Sequence, residues 1–166
     1  MREVRKVPST WEHPKNEKGR YIPLLGGSFS QLVKAWDEGE AMWEKGKCRD
    51  YTHNEWVDIK EKYRNLPFGE YDGERPEERH YMPEWDENEC THFMMYETVD
   101  GTPISPAFLT REELARWLAD NNASVCAYQT ATYEQWLRIC DGGGVLGTIE
   151  FSETDPAFVE DGISIL

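Results

Sequence analysis

Hydrophobic positions along the chain change period several times, and each change marks an element. From Ser28, the residues Phe29, Leu32, Val33, Trp36, Met42 and Trp43 recur at helical spacing, with Asp37, Glu38, Glu40 and Glu44 between them. Gly39 weakens the middle of this stretch and Gly46 marks its end. Thr52-His53-Asn54-Glu55 has the form of a capping box, and Trp56, Ile59, Tyr63 and Leu66 follow at helical intervals up to Pro67. The spacing therefore predicts an antiparallel helical pair over residues 28–67. Ahead of it, Pro8, Pro14, Pro23 and Gly26-Gly27 predict an extended arm over residues 1–27, with Trp11, Tyr21, Ile22, Leu24 and Leu25 as anchors.

Residues 68–91 hold no sustained period. They carry Gly69, Gly73, Pro76 and Pro83, and nine carboxylates against Arg75 and Arg79, which predicts a long acidic loop. Beyond it, His92 to Val99 reads as a strand and Asp100-Gly101 as a hairpin turn. A short returning strand follows over Ile104 to Phe108, kept to an edge by Pro103 and Pro106. Thr110 with Glu113 and Thr132 with Gln135 form capping boxes for two helices. The first buries Leu114, Trp117 and Leu118, and the second carries Tyr133, Trp136, Leu137 and Cys140. Strands are expected over Ala123 to Tyr128 and Val145 to Phe151, completing a strand and helix unit over residues 92–151 before an acidic tail, 152–166. The predicted class is α+β, with a small mixed or antiparallel sheet and about four helices in a single domain of 166 residues.

Charge narrows the function. The net charge is −14, from 32 Asp and Glu against 18 Lys and Arg. Nucleic-acid affinity rests on cationic side chains releasing counterions, so direct nucleic-acid binding is not expected. An anionic membrane surface is disfavoured for the same reason, and no run of 18 apolar residues is present. A basic protein, or a protein groove that normally holds nucleic acid, is the favoured partner. The first twenty residues are the exception, with six Lys or Arg against three Glu; the arm is expected to lie across its own body, with a basic strap reaching a partner as the alternative. Val7-Pro8-Ser9-Thr10-Trp11 follows the N-terminal charges where a secretory leader would be apolar. The expectation is a protein of the reducing bacterial cytoplasm, with Cys48, Cys90, Cys126 and Cys140 as free thiols.

The acidic loop has two readings, a solvated loop or a binding surface. In the second, Glu70, Asp72, Glu74, Glu77, Glu78, Glu84, Asp86, Glu87 and Glu89 steer a basic partner and Trp85 anchors it. Glu150, Glu153, Asp155, Glu160 and Asp161 would extend the same negative face. For metal chemistry the candidates are His80, Cys90 and His92, with the Cys48/His53 pair further back. The tight Cys-x2-4-Cys spacing of zinc sites is missing. Cys126 and Cys140 lie in apolar settings that favour inert burial. Gly142-Gly143-Gly144 trails a helix instead of opening one, so it is a turn and no phosphate loop. No catalytic residues are assigned and no cofactor is expected.

Two blocks carry a resemblance. Val7-Pro8-x-x-Trp11-Glu12-His13-Pro14 with Gly19-Arg20-Tyr21-Ile22-Pro23-Leu24 is one. The other is Tyr96-Glu97-Thr98 with Gly101-Thr102-Pro103-Ile104-Ser105-Pro106 and Glu112-Glu113-Leu114-Ala115-Arg116-Trp117-Leu118-Ala119-Asp120. Together they resemble a group of small bacteriophage and prophage proteins of unassigned activity, over about half of the chain. Some members carry a Cys-rich, zinc-like insert that this sequence lacks. The resemblance implies a phage-type accessory protein acting inside a bacterial cell, and it confers no role on any residue. The resulting expectation is a non-enzymatic protein that binds and inhibits or redirects a host protein, such as a defence or nucleic-acid enzyme. A virion structural or assembly protein and a small metal-binding protein or enzyme are the competing readings.

Overall fold

A computed structural model describes residues 1–142. In chain order its elements are β1 (Arg2–Val7), α1 (Phe29–Glu44), β2 (Lys47–Asp50), β3 (Glu55–Asp58) and the short α2 (Phe68–Asp72). They continue with β4 (His92–Glu97), β5 (Thr102–Pro103), α3 (Arg111–Asp120), β6 (Ser124–Cys126), β7 (Gln129–Thr130) and α4 (Tyr133–Asp141). Among the described residues, four helices and three small antiparallel sheets make the fold mixed α+β. The residues group into two compact units, Gly27–Glu84 and the segments Met1–Gly26 and Trp85 onward. The strand expected over Val145 to Phe151 and the acidic tail, 152–166, lie outside the described residues.

The larger unit is a three-stranded sheet in the order β1-β4-β5, whose two faces have different partners. Alternation along β4 sends Met95 toward α3 and α4. There it joins Leu114, Ala115, Leu118, Val125, Trp136, Ile139 and Cys140 in the core. Trp136 is fully buried, as its helical spacing requires, while Trp117 packs at the edge of the same cluster and is half-buried. Both capping boxes form: Thr110 with Glu113 starts α3, and Thr132 with Gln135 starts α4.

The other face of β4 carries Tyr96, and the N-terminal arm is fastened to it. The Trp11 indole N–H donates to the Tyr96 hydroxyl at 3.0 Å, and His13 Nδ1 lies 3.0 Å from the same oxygen. His13 Nε2 stands 2.6 Å from the Ile22 carbonyl, which can only accept. Nε2 therefore holds the hydrogen, Nδ1 accepts from Tyr96, and the imidazole is neutral. Burial, the larger influence, and the nearby Arg5 cation together outweigh the Ile22 bond and lower the His13 pKa. The Arg5 guanidinium lies 4.2 Å above the Tyr96 ring and donates to the Leu24 carbonyl.

These contacts lay residues 1–27 across their own unit. Residues 2–7 are an edge strand paired with β4 from Arg2↔Glu97 to Val7↔His92. Arg2 and Arg5 are buried, and Arg2 bonds the Ser124 carbonyl and hydroxyl at 2.7 and 2.8 Å. Gly101 takes φ 66°, and a Cβ there would stand 2.5 Å from the Leu24 carbonyl oxygen, so the arm can cross only over glycine. Ser105 in the Gly-Thr-Pro-Ile-Ser-Pro run accepts from the Met95 amide and donates to the Pro106 carbonyl.

Removing the Tyr96 hydroxyl leaves the Trp11 N–H and His13 Nδ1 buried without their partner. Tyr96→Phe should therefore cost about 1–3 kcal/mol in denaturant unfolding. Because His13 is harder to protonate in the folded chain than in the unfolded one, stability should fall as pH drops below about 6.5. A His13→Gln variant should lack that part of the slope, and an unchanged slope would show that His13 is not held neutral.

Candidate functional site

The unit Gly27–Glu84 is organised around a glycine in mid-helix. A Cβ on Gly39 would stand 2.6 Å from Cζ of Phe68, so the missing side chain is the seat for that ring. Around Phe68 an aromatic column forms, with Trp36 at 5.0 Å, Trp43 at 5.9 Å and Tyr71 stacked 4.5 Å from Trp43. Two indoles of α1 then clamp the returning chain by its backbone. Trp43 donates to the Leu66 carbonyl at 3.0 Å and Trp36 to the Gly73 carbonyl at 2.9 Å. At its N-terminus α1 is capped by Ser28, and Glu84 accepts from the Ser28 and Ser30 hydroxyls and the Ser30 amide.

The second helix expected over residues 52–66 does not form. Residues 47–58 are instead the β2–β3 hairpin, with Arg49 opposite Trp56 and Cys48 opposite Val57. Asp50 turns the chain by accepting from the Thr52 amide at 2.9 Å and pairing with His53 at 2.8 Å, and Asn54 adopts φ 54°. Asx-turn chemistry and an asparagine suited to the left-handed region outcompete the Thr52–Glu55 capping pattern. Arg49 lies 5.1 Å from the Trp56 ring and bonds the Asn54 side-chain oxygen.

Between α1, this hairpin and α2 lies a cleft of about 560 Å³. Trp36, Trp56, Phe68 and Tyr71 supply its aromatic lining, and Glu38, Asp72 and Glu74 its carboxylates. None of the ion pairs among the described residues engages these three acids. Partial desolvation raises the Asp72 carboxyl above its ordinary range, with no cation opposing it. A groove of about 780 Å³ in the other unit is lined by His92, Phe108, Glu112, Glu113, Arg116 and Trp117. There Glu113 is spent on the capping box and Arg116 lies 4.0 Å above the Tyr133 ring.

The acidic stretch is divided between the two units. Glu70, Asp72, Glu74, Glu77, Glu78 and Glu84 belong to one, and Trp85, Asp86, Glu87 and Glu89 to the other. The first group is further sorted by its contacts. Asp72 and Glu74 line the cleft, Glu70 is exposed on α2, Glu77 pairs with Arg79 at 2.6 Å, and Glu84 serves the helix cap. Trp85 is half-buried against Trp11 at 4.9 Å, which gives the proposed anchor a structural contact. Asp86 caps a short turn at Asn88, while Glu87 and Glu89 are exposed.

His80 is exposed in the Gly27–Glu84 unit, whereas Cys90 and His92 lie in the other, where His92 Nδ1 meets the Thr91 hydroxyl at 2.8 Å. Among the described residues no group of three His, Cys, Asp or Glu is arranged to hold a metal ion. All four cysteines are free. Cys126, expected to be buried, is exposed because β6 ends there and Ala127 turns the chain at φ 49°. Cys140 is buried, and burial pushes its thiol up to about 12.

Sequence periodicity assigns Trp36 and Trp56 to core faces and leaves Arg49 without a role. The usable signal was the Asp50-to-Asn54 turn, which makes residues 47–58 a hairpin and brings Arg49 to Trp56. No family model, curated protein or solved structure matches this chain.

An alanine at an exposed helix glycine ordinarily stabilises by about 1 kcal/mol. Gly39→Ala should do the reverse, costing about 1–3 kcal/mol by displacing Phe68. Combining it with Phe68→Ala should cost less than the sum of the two changes, and full additivity in chemical denaturation would refute the seat.

Proposed function

We propose that this chain is a non-enzymatic accessory protein, of phage type, that binds a basic or nucleic-acid-binding protein of a bacterial host and inhibits or redirects it. The supporting observation is the set of unpaired carboxylates beside exposed aromatic surface in the Gly27–Glu84 unit. That segment holds fourteen Asp and Glu against nine Lys and Arg. Carboxylates placed where phosphates would sit attract a cationic groove and raise its rate of encounter. Aromatic side chains beside them supply apolar contact, which lengthens residence once the charges have met. No helix of the described residues is long and apolar enough to cross a membrane.

Affinity capture from a bacterial lysate at low and high salt tests this reading. The captured protein should be basic or a nucleic-acid binder, and duplex DNA in excess should displace it. Retention should weaken as salt rises, since exposed charges are screened within about 8–10 Å at physiological ionic strength. Salt-insensitive capture of an acidic protein, unaffected by DNA, would overturn the proposal.

A further inference from the structure

We infer that the aromatic cleft of the Gly27–Glu84 unit is a receptor for an arginine side chain presented by an extended basic segment of the partner. This inference rests on the binding function proposed above and names the chemistry at its centre.

The geometry favours a flat cation. Trp36, Trp56 and Tyr71 offer ring surface within one cleft, and Asp72, Glu74 and Glu38 place negative charge along the same cleft. A guanidinium satisfies both features, because its plane stacks on aromatic rings while its fork of N–H groups meets a carboxylate in two parallel bonds. An ammonium gives a point charge without the stacking plane. The cleft already contains one example of this chemistry, the Arg49 guanidinium lying 5.1 Å from the Trp56 ring.

Charge complementarity identifies the occupant. Arg49 is bonded to the Asn54 side chain, and Arg75, the next cation along the chain from Glu74, is held by both oxygens of Asp37 at 2.9 and 3.1 Å. The cleft thus sets three carboxylates against one guanidinium, Arg49, which none of the ion pairs among the described residues joins to them, and the Asp72 carboxyl has already lost part of its hydration. A guest cation therefore meets a lower desolvation cost here than at a fully hydrated surface carboxylate. The volume, about 560 Å³, lies within the usual range of small-ligand pockets, so one long side chain and its flanking backbone can be accommodated. Tyr51, 79% exposed, and Leu32, 44% exposed, give that flanking backbone apolar contact.

Isothermal titration at low salt tests the inference with an acetylated, amidated peptide of four Gly-Ser-Arg repeats. Matched peptides carry lysine or citrulline in place of arginine. Citrulline keeps the shape and plane but lacks the charge, and should bind about tenfold more weakly or worse. Lysine should fall between the two. Asp72→Asn with Glu74→Gln, both at exposed positions, should weaken arginine-peptide binding about tenfold without changing the melting temperature. Glu87→Gln with Glu89→Gln, in the other unit, should leave it unchanged. Equal affinity for the lysine peptide, or no loss in the Asp72/Glu74 variant, overturns the cleft inference while leaving the acidic-surface function standing. Failure of all basic peptides to bind overturns both.

Discussion

Phe68 rests against α1 at the one position where no side chain intervenes, and the Gly27–Glu84 unit depends on that contact. With a Cβ on Gly39 the ring would have to withdraw, since 2.6 Å is well inside van der Waals separation. The consequences extend outward from the ring. Seated on Gly39, Phe68 brings Leu66 and Gly73 within reach of the Trp43 and Trp36 indoles, which donate to their carbonyls. Those bonds hold α2 beside α1, and α2 carries Tyr71 and Asp72 into the cleft. A glycine that helix propensity alone counts as a defect is therefore the element that permits the cleft.

The larger unit obeys a similar rule with polar groups. Tyr96 is fully buried, and its hydroxyl is placed among groups that use both its donor and its acceptor capacity. Closing that network requires Trp11 and His13 from a segment more than eighty residues away in sequence. The segments around Trp11 to Leu24 and Tyr96 to Pro106 build this network, the Gly101 crossing and the Ser105 bonds.

Elements with local causes were legible from the sequence. α3 and α4 each have a reciprocal capping box, and Asp100-Gly101 turns the chain where its dipeptide requires. Two other features were hidden because their causes are distant or compete locally. β1 reads as a charged arm, since Arg2 and Arg5 become buried only through Ser124, Leu24 and Tyr96. The hairpin of β2 and β3 was masked by Thr52 and Glu55, whose spacing imitates a helix start. The acidic candidates were legible as charge, but sequence could not separate Asp72 and Glu74, which line the cleft, from Glu84, which caps α1. Burial and bonding sort them, and neither is encoded in composition.

Recognition is proposed at one aromatic cleft among several aromatic surfaces, and six of the seven tryptophans report on these surfaces separately. Trp36 and Trp56 line the cleft, Trp117 lines the groove of the other unit, Trp11 and Trp85 contact each other, and Trp136 is buried in the core. Nitrogen-15 labelling of the indoles, followed by two-dimensional NMR during titration with the arginine-repeat peptide, reads all of them in one experiment. The expected result is saturable movement of the Trp36 and Trp56 indole signals, with those of Trp11, Trp85, Trp117 and Trp136 unmoved. Saturation with Trp36 and Trp56 stationary, or with the largest shift at Trp117, would contradict the account.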